Sequence, residues 1–424
     1  MSIKYSGRLL VSGLLRAIQQ AIIPALPDWT TAVEEQKLLA GDAQAGDSFG
    51  YSVAISSDGT TAIVGSRDED TGGSNAGSAY IFTRTGGTWT QQQKIQASDA
   101  QAGDFFGYSV AISDDGNTVI VGATGEDTTA IGAGAAYVFT RSGGVWSEQQ
   151  KIQASDAQSS DAFGVSVALS GDGNTAIVGA EQEDTTANGA GSAYVFIRIS
   201  GVWTQQQKIQ ASDAQADDNF SRSVSLSDDG NYALISSPQE DPGGTTTAGS
   251  AYVFIRSGGV WTQQAKLIAS DKAASDFFGQ SVSISNDGAT ALIGAYLKSG
   301  GGAAYIFTRT GVTWTQQQKI LATDIAGGDL FGSSVSISGD GNTALVGAYG
   351  QDTGASAAGA AYFFTRAGAT WTQAKKVIAS DAQLDDWFGS AVAISDDNTT
   401  AIIGAYSEDT GGAGAGAAYI IIAG

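Results

Sequence analysis

Carboxylates are the only abundant side chains in this sequence that could serve as catalysts or metal ligands. The chain of 424 residues contains 43 Asp and Glu residues but neither Cys nor His. Thiolate or imidazole zinc sites, Cys nucleophiles and His-based catalytic triads are therefore excluded. The chemistry that remains uses oxygen: a carboxylate pair of the glycosidase type, or a hard cation such as Ca²⁺ bound by several carboxylates.

Pairs of Asp residues five positions apart are the candidate metal ligands. They recur as Asp42/Asp47, Asp99/Asp104 and Asp156/Asp161. The oxygens of Asp99 and Asp104, and equally those of Asp156 and Asp161, could share a calcium ion. The alternative is that each Asp caps a turn through backbone N–H groups. Repetition of the pair favours this structural role, because a specific site usually breaks the symmetry of a repeat.

Aromatic side chains near a few cations form a second group of candidates. Tyr is the first residue of an acidic loop in three successive copies of a repeated pattern. A Trp, an Arg and a Lys occupy positions where that pattern is interrupted. The candidate ligand-binding residues are Tyr296, Tyr349, Tyr406, Trp387, Arg222 and Lys298. Flat rings stack on the apolar faces of sugars and supply contact area at low entropic cost. These residues predict a platform for a glycan or a protein receptor, whereas the alternative is that the Tyr side chains only pad the loops.

A repeat positions all of these residues. Phe-Gly recurs from Phe49-Gly50 to Phe388-Gly389, with Phe220-Ser221 as a variant copy, at steps of 53 to 58 residues. Trp follows the same period from Trp89 to Trp371. Self-similarity at such a period is the signature of a repeat architecture, so separate globular domains are not expected.

Each period predicts four short antiparallel strands. In the second period, alternating residues follow Phe106 and end at Asp114-Asp115-Gly116-Asn117, which is a hairpin signal. Strands are predicted over 118–123, 135–140 and 146–154, separated by a long acidic loop and a Gly-rich turn. A four-stranded sheet of small residues buries both faces only when it stacks against neighbouring sheets, as in a β-propeller.

The fold class is therefore all-β: a seven-bladed β-propeller of four-stranded antiparallel blades, closed by an N-terminal strand and preceded by a short N-terminal helix. The last period lacks its fourth strand, and residues 29–39 hold an orphan copy of that strand, so they should complete blade seven. The predicted domains are an N-terminal helix over 1–28 and a propeller over 29–424. Its blades lie near 46–97, 103–154, 160–211, 217–269, 275–322, 328–379 and 385–424.

Strand direction sorts the loops onto two faces. The long loops between second and third strands share one strongly acidic face with the connections between blades, and this face should carry the ligand platform. The opposite face holds the hairpins of Asp114 and Asp115, where surface ion pairs with Arg141 and its repeat copies are expected.

The repeated residues resemble a known family. Phe-Gly, then Val121-Gly122-Ala123, then Gly134-Ala135-Ala136-Tyr137 are similar to the FG-GAP repeat, which builds the seven-bladed heads of integrin α subunits. The resemblance implies a binding or adhesion module of extracellular type. Integrin-type repeats also carry Asp-x-Asp-x-Asp-Gly calcium loops, but the turns here, such as Ser113 to Gly116, are too short and too poor in oxygen ligands.

Residues 1–28 lie outside the repeat and form an apolar, roughly helical stretch that ends near Pro24 and Pro27. We predict a helix that docks onto assembly partners. A cleaved export signal is disfavoured because Arg16 splits the apolar core, and a helix packed on the propeller is the other alternative. An adhesion-type propeller without a clean signal favours a virion component, such as a phage tail or capsid-surface protein.

The expected function is non-enzymatic binding of a host-surface glycan or protein receptor, at a virion surface or otherwise outside the cell. The alternatives are a secreted or cell-surface bacterial adhesion protein and a carboxylate-based glycan-active enzyme. No motif distinguishes one acid from its repeat copies, so catalytic residues are not predicted. No cofactor other than Ca²⁺ is suggested. A formal charge of −22 argues against nucleic acid as a partner, and no apolar run is long enough for a membrane span.

Overall fold

The computed structural model of the protein describes residues 27–424. Most of the predicted docking helix at 1–28 lies outside the described residues. Pro27 and Asp28 lead into a short 3₁₀ turn at Trp29–Thr31, and a second such turn lies at Pro242–Gly244. All other regular structure in residues 27–424 is β-strand.

Twenty-eight strands form seven four-stranded antiparallel sheets, which confirms the predicted propeller. The innermost, first strands of blades one to seven are Phe49–Ile55, Phe106–Ile112, Val167–Leu169, Val224–Leu226, Phe278–Ile284, Val335–Ile337 and Ala391–Ile394. The second strands are Thr61–Ser66, Thr118–Ala123, Thr175–Ala180, Tyr232–Ser237, Thr290–Ala295, Thr343–Ala348 and Thr400–Ala405.

The two outer strands of each blade carry the longer hairpin. The third strands are Ser78–Thr85, Ala135–Ser142, Ser192–Ile199, Ser250–Ser257, Ala303–Thr310, Ala360–Ala367 and Ala417–Ile422. The fourth strands are Thr88–Ile95, Val145–Ile152, Val202–Ile209, Val260–Leu267, Thr313–Ile320, Thr370–Val377 and, for blade seven, Val33–Leu38.

The first hairpin of each blade is fixed by its Asp and Gly residues. In blade two, the Asp115 carboxylate accepts the Ser113 hydroxyl at 2.6 Å and the backbone N–H of Asn117 at 2.9 Å. Gly116 adopts φ +62°, a left-handed conformation that glycine reaches without strain. The sequence therefore forms a tight Asx-type turn at this point.

Aromatic residues fill the interfaces between blades. Phe106 is fully buried and packs edge-on against Tyr137 and Phe139 of its own blade, with ring centroids 5.5 and 6.0 Å apart. The same set of Phe, Tyr and Phe recurs within blades one, three, four, five and six, and blade seven has the pair Phe388 and Tyr419. Edge-to-face pairs of this kind add about 0.5–1.5 kcal/mol beyond the burial of area. The buried cluster around Phe106 also contains Ile63 and Ile81 of blade one, so the repeated Phe joins its own sheet to the preceding one.

The N-terminal strand closes the ring as predicted. Val33–Leu38 pairs antiparallel with Ala417–Ile422, and Lys37 Nζ lies 2.6 Å from Asp381 and 2.7 Å from the fully buried carboxylate of Glu408. The Trp29 indole donates a hydrogen bond to Asn398 at 2.8 Å. Both backbone and side-chain contacts therefore hold the two ends of the propeller together.

A chain of main-chain hydrogen bonds links the blades where the first hairpins converge on the axis. Ser57 N–H donates to Asp114 C=O at 3.2 Å, Asp114 N–H to Gly171 C=O at 3.1 Å, and Asp228 N–H to Asn286 C=O at 3.1 Å. The Asp114 side chain lines the axial channel here, with Asp228 and Asp396. This overturns the expected surface ion pair with Arg141.

Arg141 has other partners. Its Nε donates to Asn117 Oδ1 at 2.9 Å, and its guanidinium lies 5.4 Å from the centre of the Trp146 ring. Within the described chain, no Asp–Arg ion pair forms at the first hairpins. The Asp114 backbone follows the inner rim while Arg141 extends from the third strand, so the two side chains diverge.

Candidate functional site

The axial channel opens at the loop-bearing face into a cavity of about 560 Å³. We define the channel mouth by three positions per blade, of which the position after the Phe-Gly pair lines the cavity in all seven blades and the loop-opening position does so at Tyr296, Tyr349 and Tyr406. The positions before the repeated Phe are Ser48, Phe105, Ala162, Asn219, Phe277, Leu330 and Trp387. Those after the Phe-Gly pair or its variant are Tyr51, Tyr108, Val165, Arg222, Gln280, Ser333 and Ser390. Those that open the long loop are Arg67, Thr124, Glu181, Pro238, Tyr296, Tyr349 and Tyr406.

Aromatic rings form a connected arc along the mouth. The ring centroids of Tyr349 and Trp387 are 6.3 Å apart, and those of Trp387 and Tyr406 are 5.1 Å apart. The arc continues from Tyr406 to Tyr51 at 5.3 Å and from Tyr51 to Tyr108 at 5.2 Å. All five rings are partly exposed. The structure thus brings together Tyr349, Tyr406 and Trp387 from the predicted platform.

Tyr296 is not part of this arc. Its ring contacts Phe277 with centroids 5.8 Å apart, and its side chain lines the same cavity as Tyr349 and Tyr406. Burial raises the pKa of all three of these hydroxyls. They therefore remain protonated at neutral pH and can donate hydrogen bonds to a ligand.

Sequence reasoning missed Tyr51, Tyr108 and Arg67. The Arg67 guanidinium lies 3.9 Å from the centre of the Tyr51 ring and 5.4 Å from that of Tyr108, and its Nε lies 3.2 Å from Asp68. This cation–π contact holds the arc at its blade-one end. The sequence did carry a signal for the two tyrosines, since Tyr directly follows Phe-Gly in two repeats, on the strand closest to the axis.

Arg222 occupies the polar side of the mouth. Its Nη1 lies 3.2 Å from Glu181 Oε1 and 3.4 Å from the Tyr108 hydroxyl. Burial opposes the charge, but the Glu181 carboxylate outweighs it and raises the pKa of Arg222. The mouth therefore combines an aromatic arc with two charge-balanced pairs, Arg67 with Asp68 and Arg222 with Glu181.

The structure separates Lys298 from this group. Its side chain is buried, and its Nζ lies 2.8 Å from Asp276 and 3.7 Å from Asp271. Lys298 lines neither the main cavity nor the pocket beside Arg222. A buried lysine bound by two carboxylates cannot reach a ligand at the mouth without breaking these pairs.

The first member of each candidate calcium pair bonds to a lysine and a tyrosine. Asp99 accepts the Tyr137 hydroxyl at 2.8 Å and Lys151 Nζ at 2.8 Å. Burial opposes ionisation, but these bonds hold the pKa of Asp99 below its usual value. Asp156 is bound in the same way, by Tyr194 at 2.9 Å and by Lys208 at 2.8 Å.

The second member of each pair caps its own turn. Asp104 accepts the backbone N–H of Gln101 at 2.7 Å, and Asp161 that of Gln158 at 2.7 Å. Burial raises the pKa of Asp104 and raises that of Asp161 to about 6. The turn-capping alternative thus describes Asp104 and Asp161, whereas Asp99 and Asp156 serve ion pairs.

Neither these Asp pairs nor the first hairpins fit a calcium site, because their carboxylates already have other partners. In the first hairpins, carboxylates such as Asp115 accept bonds from their own turn, and Asp114 is directed to the axis. Across residues 27–424, no three acidic side chains are grouped so that they could hold a metal ion.

The same part of the chain has no helix with the length and apolar character needed to cross a membrane. No curated protein matches the sequence significantly. The FG-GAP repeat family model matches the sequence at residues 32–82, 89–139, 146–196, 203–254, 261–307, 314–364 and 371–421.

Each matched unit begins near the fourth strand of one blade and ends in the third strand of the next. The first unit contains Val33–Leu38, and the last ends at residue 421. Seven sequence units therefore produce seven blades only when the N-terminal strand joins blade seven. The seven matches and the closed seven-bladed ring show that this chain belongs to the FG-GAP repeat family.

Proposed function

We propose that the propeller is a non-enzymatic module that binds a surface glycan at the channel mouth. The connected arc of Tyr349, Trp387, Tyr406, Tyr51 and Tyr108 is the observation that carries this proposal. Partly exposed rings at the rim of a cavity offer stacking faces for sugars, and Arg222 with Glu181 adds donors and an acceptor. A protein receptor is the competing ligand class.

The proposed ligand-binding residues are the predicted Tyr296, Tyr349, Tyr406, Trp387 and Arg222, with the addition of Tyr51 and Tyr108. Lys298 is left out because its buried ion pairs occupy it. The four Asp residues at 99, 104, 156 and 161 are left out as well, since lysines, tyrosines and turn amides already bond to them.

A glycan array with a triple variant tests the proposal. Tyr296→Ala, Tyr349→Ala and Trp387→Ala together should abolish binding of every glycan that the unaltered protein retains. Val312→Ala is the matched control, because this exposed side chain lies in the turn between third and fourth strands, on the opposite face. Circular dichroism and thermal unfolding establish that each variant is folded.

Unchanged binding by the triple variant would refute the mouth as the site. An array without any bound glycan, combined with capture of a host protein that depends on the same three rings, would replace the glycan with a protein receptor. Release of free sugar during the incubation would favour the alternative of a glycan-active enzyme.

Display on a virion or another extracellular surface, with docking through residues 1–28, stays a prediction. Mass spectrometry of purified particles tests it. We expect the protein in the particle fraction, and its confinement to soluble culture medium would favour the secreted adhesion protein instead.

A further inference from the structure

A side pocket of about 290 Å³ opens next to the channel mouth, where blades three, four and five meet. Ligand pockets for small molecules range from about 300 to 1,000 Å³, so this pocket is the size of one small ring rather than a longer chain. Glu181, Asn219, Arg222, Phe277, Gln280 and Tyr296 are among its lining residues.

An unsatisfied acceptor lies in the wall of this pocket. Glu181 Oε1 accepts a hydrogen bond from Arg222, but its buried Oε2 has no partner among residues 27–424. A buried carboxylate oxygen without a donor keeps its full desolvation penalty. Such an atom is better satisfied when a ligand supplies an O–H or N–H group.

A serine unique to blade four fixes the charged pair in place. The other blades have Gly where Ser221 stands, and Ser221 adopts φ +77°, a strained conformation for a residue with a side chain. Its hydroxyl accepts the backbone N–H of Ala180 at 3.0 Å and donates to Ser192 C=O at 2.6 Å. Ala180, which precedes Glu181, and Ser221, which precedes Arg222, are therefore hydrogen-bonded to each other across two blades.

The remaining walls supply what a sugar ring needs. Phe277 and Tyr296 offer ring surfaces in contact with each other, with centroids 5.8 Å apart. Asn219 and Gln280 supply amide groups that both donate and accept hydrogen bonds. Arg222 uses only Nη1 for its bonds within residues 27–424, so its other nitrogens can donate to a ligand.

We infer that this side pocket binds one pyranose ring of a neutral sugar through two adjacent hydroxyls. One hydroxyl donates to the Glu181 carboxylate, whose unpartnered Oε2 is closed to solvent in the free protein and rotates toward the pocket on binding. The neighbouring hydroxyl accepts from the Arg222 guanidinium, and an apolar face of the sugar packs on Tyr296 or Phe277. This inference rests on the proposed glycan-binding function and adds a sugar class to it.

Charge restricts the sugar class. A uronic or sialic acid would place its carboxylate near Glu181 on a protein of formal charge −22, and an amino sugar would place its ammonium near Arg222. Because the pair is internally balanced, a charged ligand gains one favourable contact and one unfavourable contact. A neutral hexose avoids this repulsion.

Saturation-transfer NMR with methyl glycosides tests the inference. The probes are the methyl glycosides of glucose, galactose and mannose, with methyl glucuronide as the charged match of methyl glucoside. At least one neutral probe should bind, and methyl glucuronide should bind at least tenfold more weakly than methyl glucoside if the latter is bound. Glu181→Gln turns the free acceptor into a donor and should weaken neutral binding at least tenfold.

Arg222→Val is the second variant and carries the test if Glu181→Gln does not fold. It installs the residue that blade three has at this position, Val165, and should also weaken binding at least tenfold. Val312→Ala is the control and should bind the probes as the unaltered protein does.

Separate outcomes distinguish the pocket from the mouth. Neutral probes that bind both pocket variants normally would overturn the inference, as would a glucuronide that binds as tightly as the neutral probes, or failure of all three neutral probes. In each case the glycan array still decides the broader proposal. If the ring variants at the mouth lose glycans that Glu181→Gln retains, the proposed function stands without this pocket.

Discussion

Substitution of Lys298 by Met should destabilise the propeller without weakening ligand binding at the mouth. Lys298 and Asp276 form a buried pair at 2.8 Å, with side-chain exposures of 8% and 4%. In the variant, Asp276 keeps the backbone N–H of Ala273 at 2.6 Å but loses its cation. Asp271 keeps Lys319 at 2.8 Å, so only one carboxylate is left without a countercharge.

Removal of one partner from a buried ion pair costs about 3–5 kcal/mol, because the other charge stays desolvated. The Met side chain retains much of the apolar volume, so a cavity adds little. Asp276→Asn in the Lys298→Met background removes the stranded charge and should recover about half of the loss or more. Lys298 itself stands where the other blades have an acidic residue or Gln, namely Glu69, Glu126, Glu183, Glu240, Gln351 and Glu408.

Urea unfolding followed by both fluorescence and circular dichroism measures these free energies, and coincident transitions justify the two-state treatment. Glycan binding is measured on the same samples. A loss of less than about 1 kcal/mol, together with weaker glycan binding, would refute the structural role of Lys298 and return it to the ligand-binding site.

Three further perturbations test the propeller. Burial raises the pKa of the Asp114 carboxyl to about 7 in the folded protein, whereas its pKa in an unfolded chain is about 3.9. The folded state therefore binds this proton more tightly than the unfolded state does. The resulting contribution to the free energy of unfolding is full below about pH 4 and is lost as the pH rises to about 7. Asp114→Asn should reduce that loss in urea titrations at pH 5 and pH 8, and an identical pH slope would contradict the assignment. Gly122→Ala places a Cβ 2.0 Å from the backbone oxygen of Gly164 and should cost about 1–3 kcal/mol or more, so an unchanged melting temperature would show that the blades separate easily. Lys37→Met strands the fully buried Glu408 carboxylate and should cost about 3 kcal/mol and speed proteolysis near residue 33, whereas unaltered stability and cleavage would argue against the strand as a lock.

The strands could be predicted because their signals are local. Alternation after Phe106 and the turn residues at Asp115 and Gly116 set strand ends that the structure reproduces at Phe106–Ile112 and Thr118–Ala123. Ring closure could be predicted as well, since a missing fourth strand at one end matched an extra copy at the other. Both depend on patterns that a repeat displays several times.

The site could be predicted only in part, because its contacts join blades that are remote in sequence. Tyr51 meets Tyr406 only after the ring has closed, so the sequence showed three separate Tyr residues but not the arc. Lys298 looked like a free cation because its partner, Asp276, belongs to an earlier loop. Arg141 likewise turned to Asn117 instead of the adjacent Asp residues, since strand direction decides which side chains converge.

A crystal structure with a bound glycan from the array would locate the binding site. We expect sugar density over the arc of Tyr349, Trp387 and Tyr406, with a ring in the side pocket within hydrogen-bonding distance of Glu181. Well-defined sugar at the outer strands or on the opposite face, with an empty mouth, would contradict this expectation.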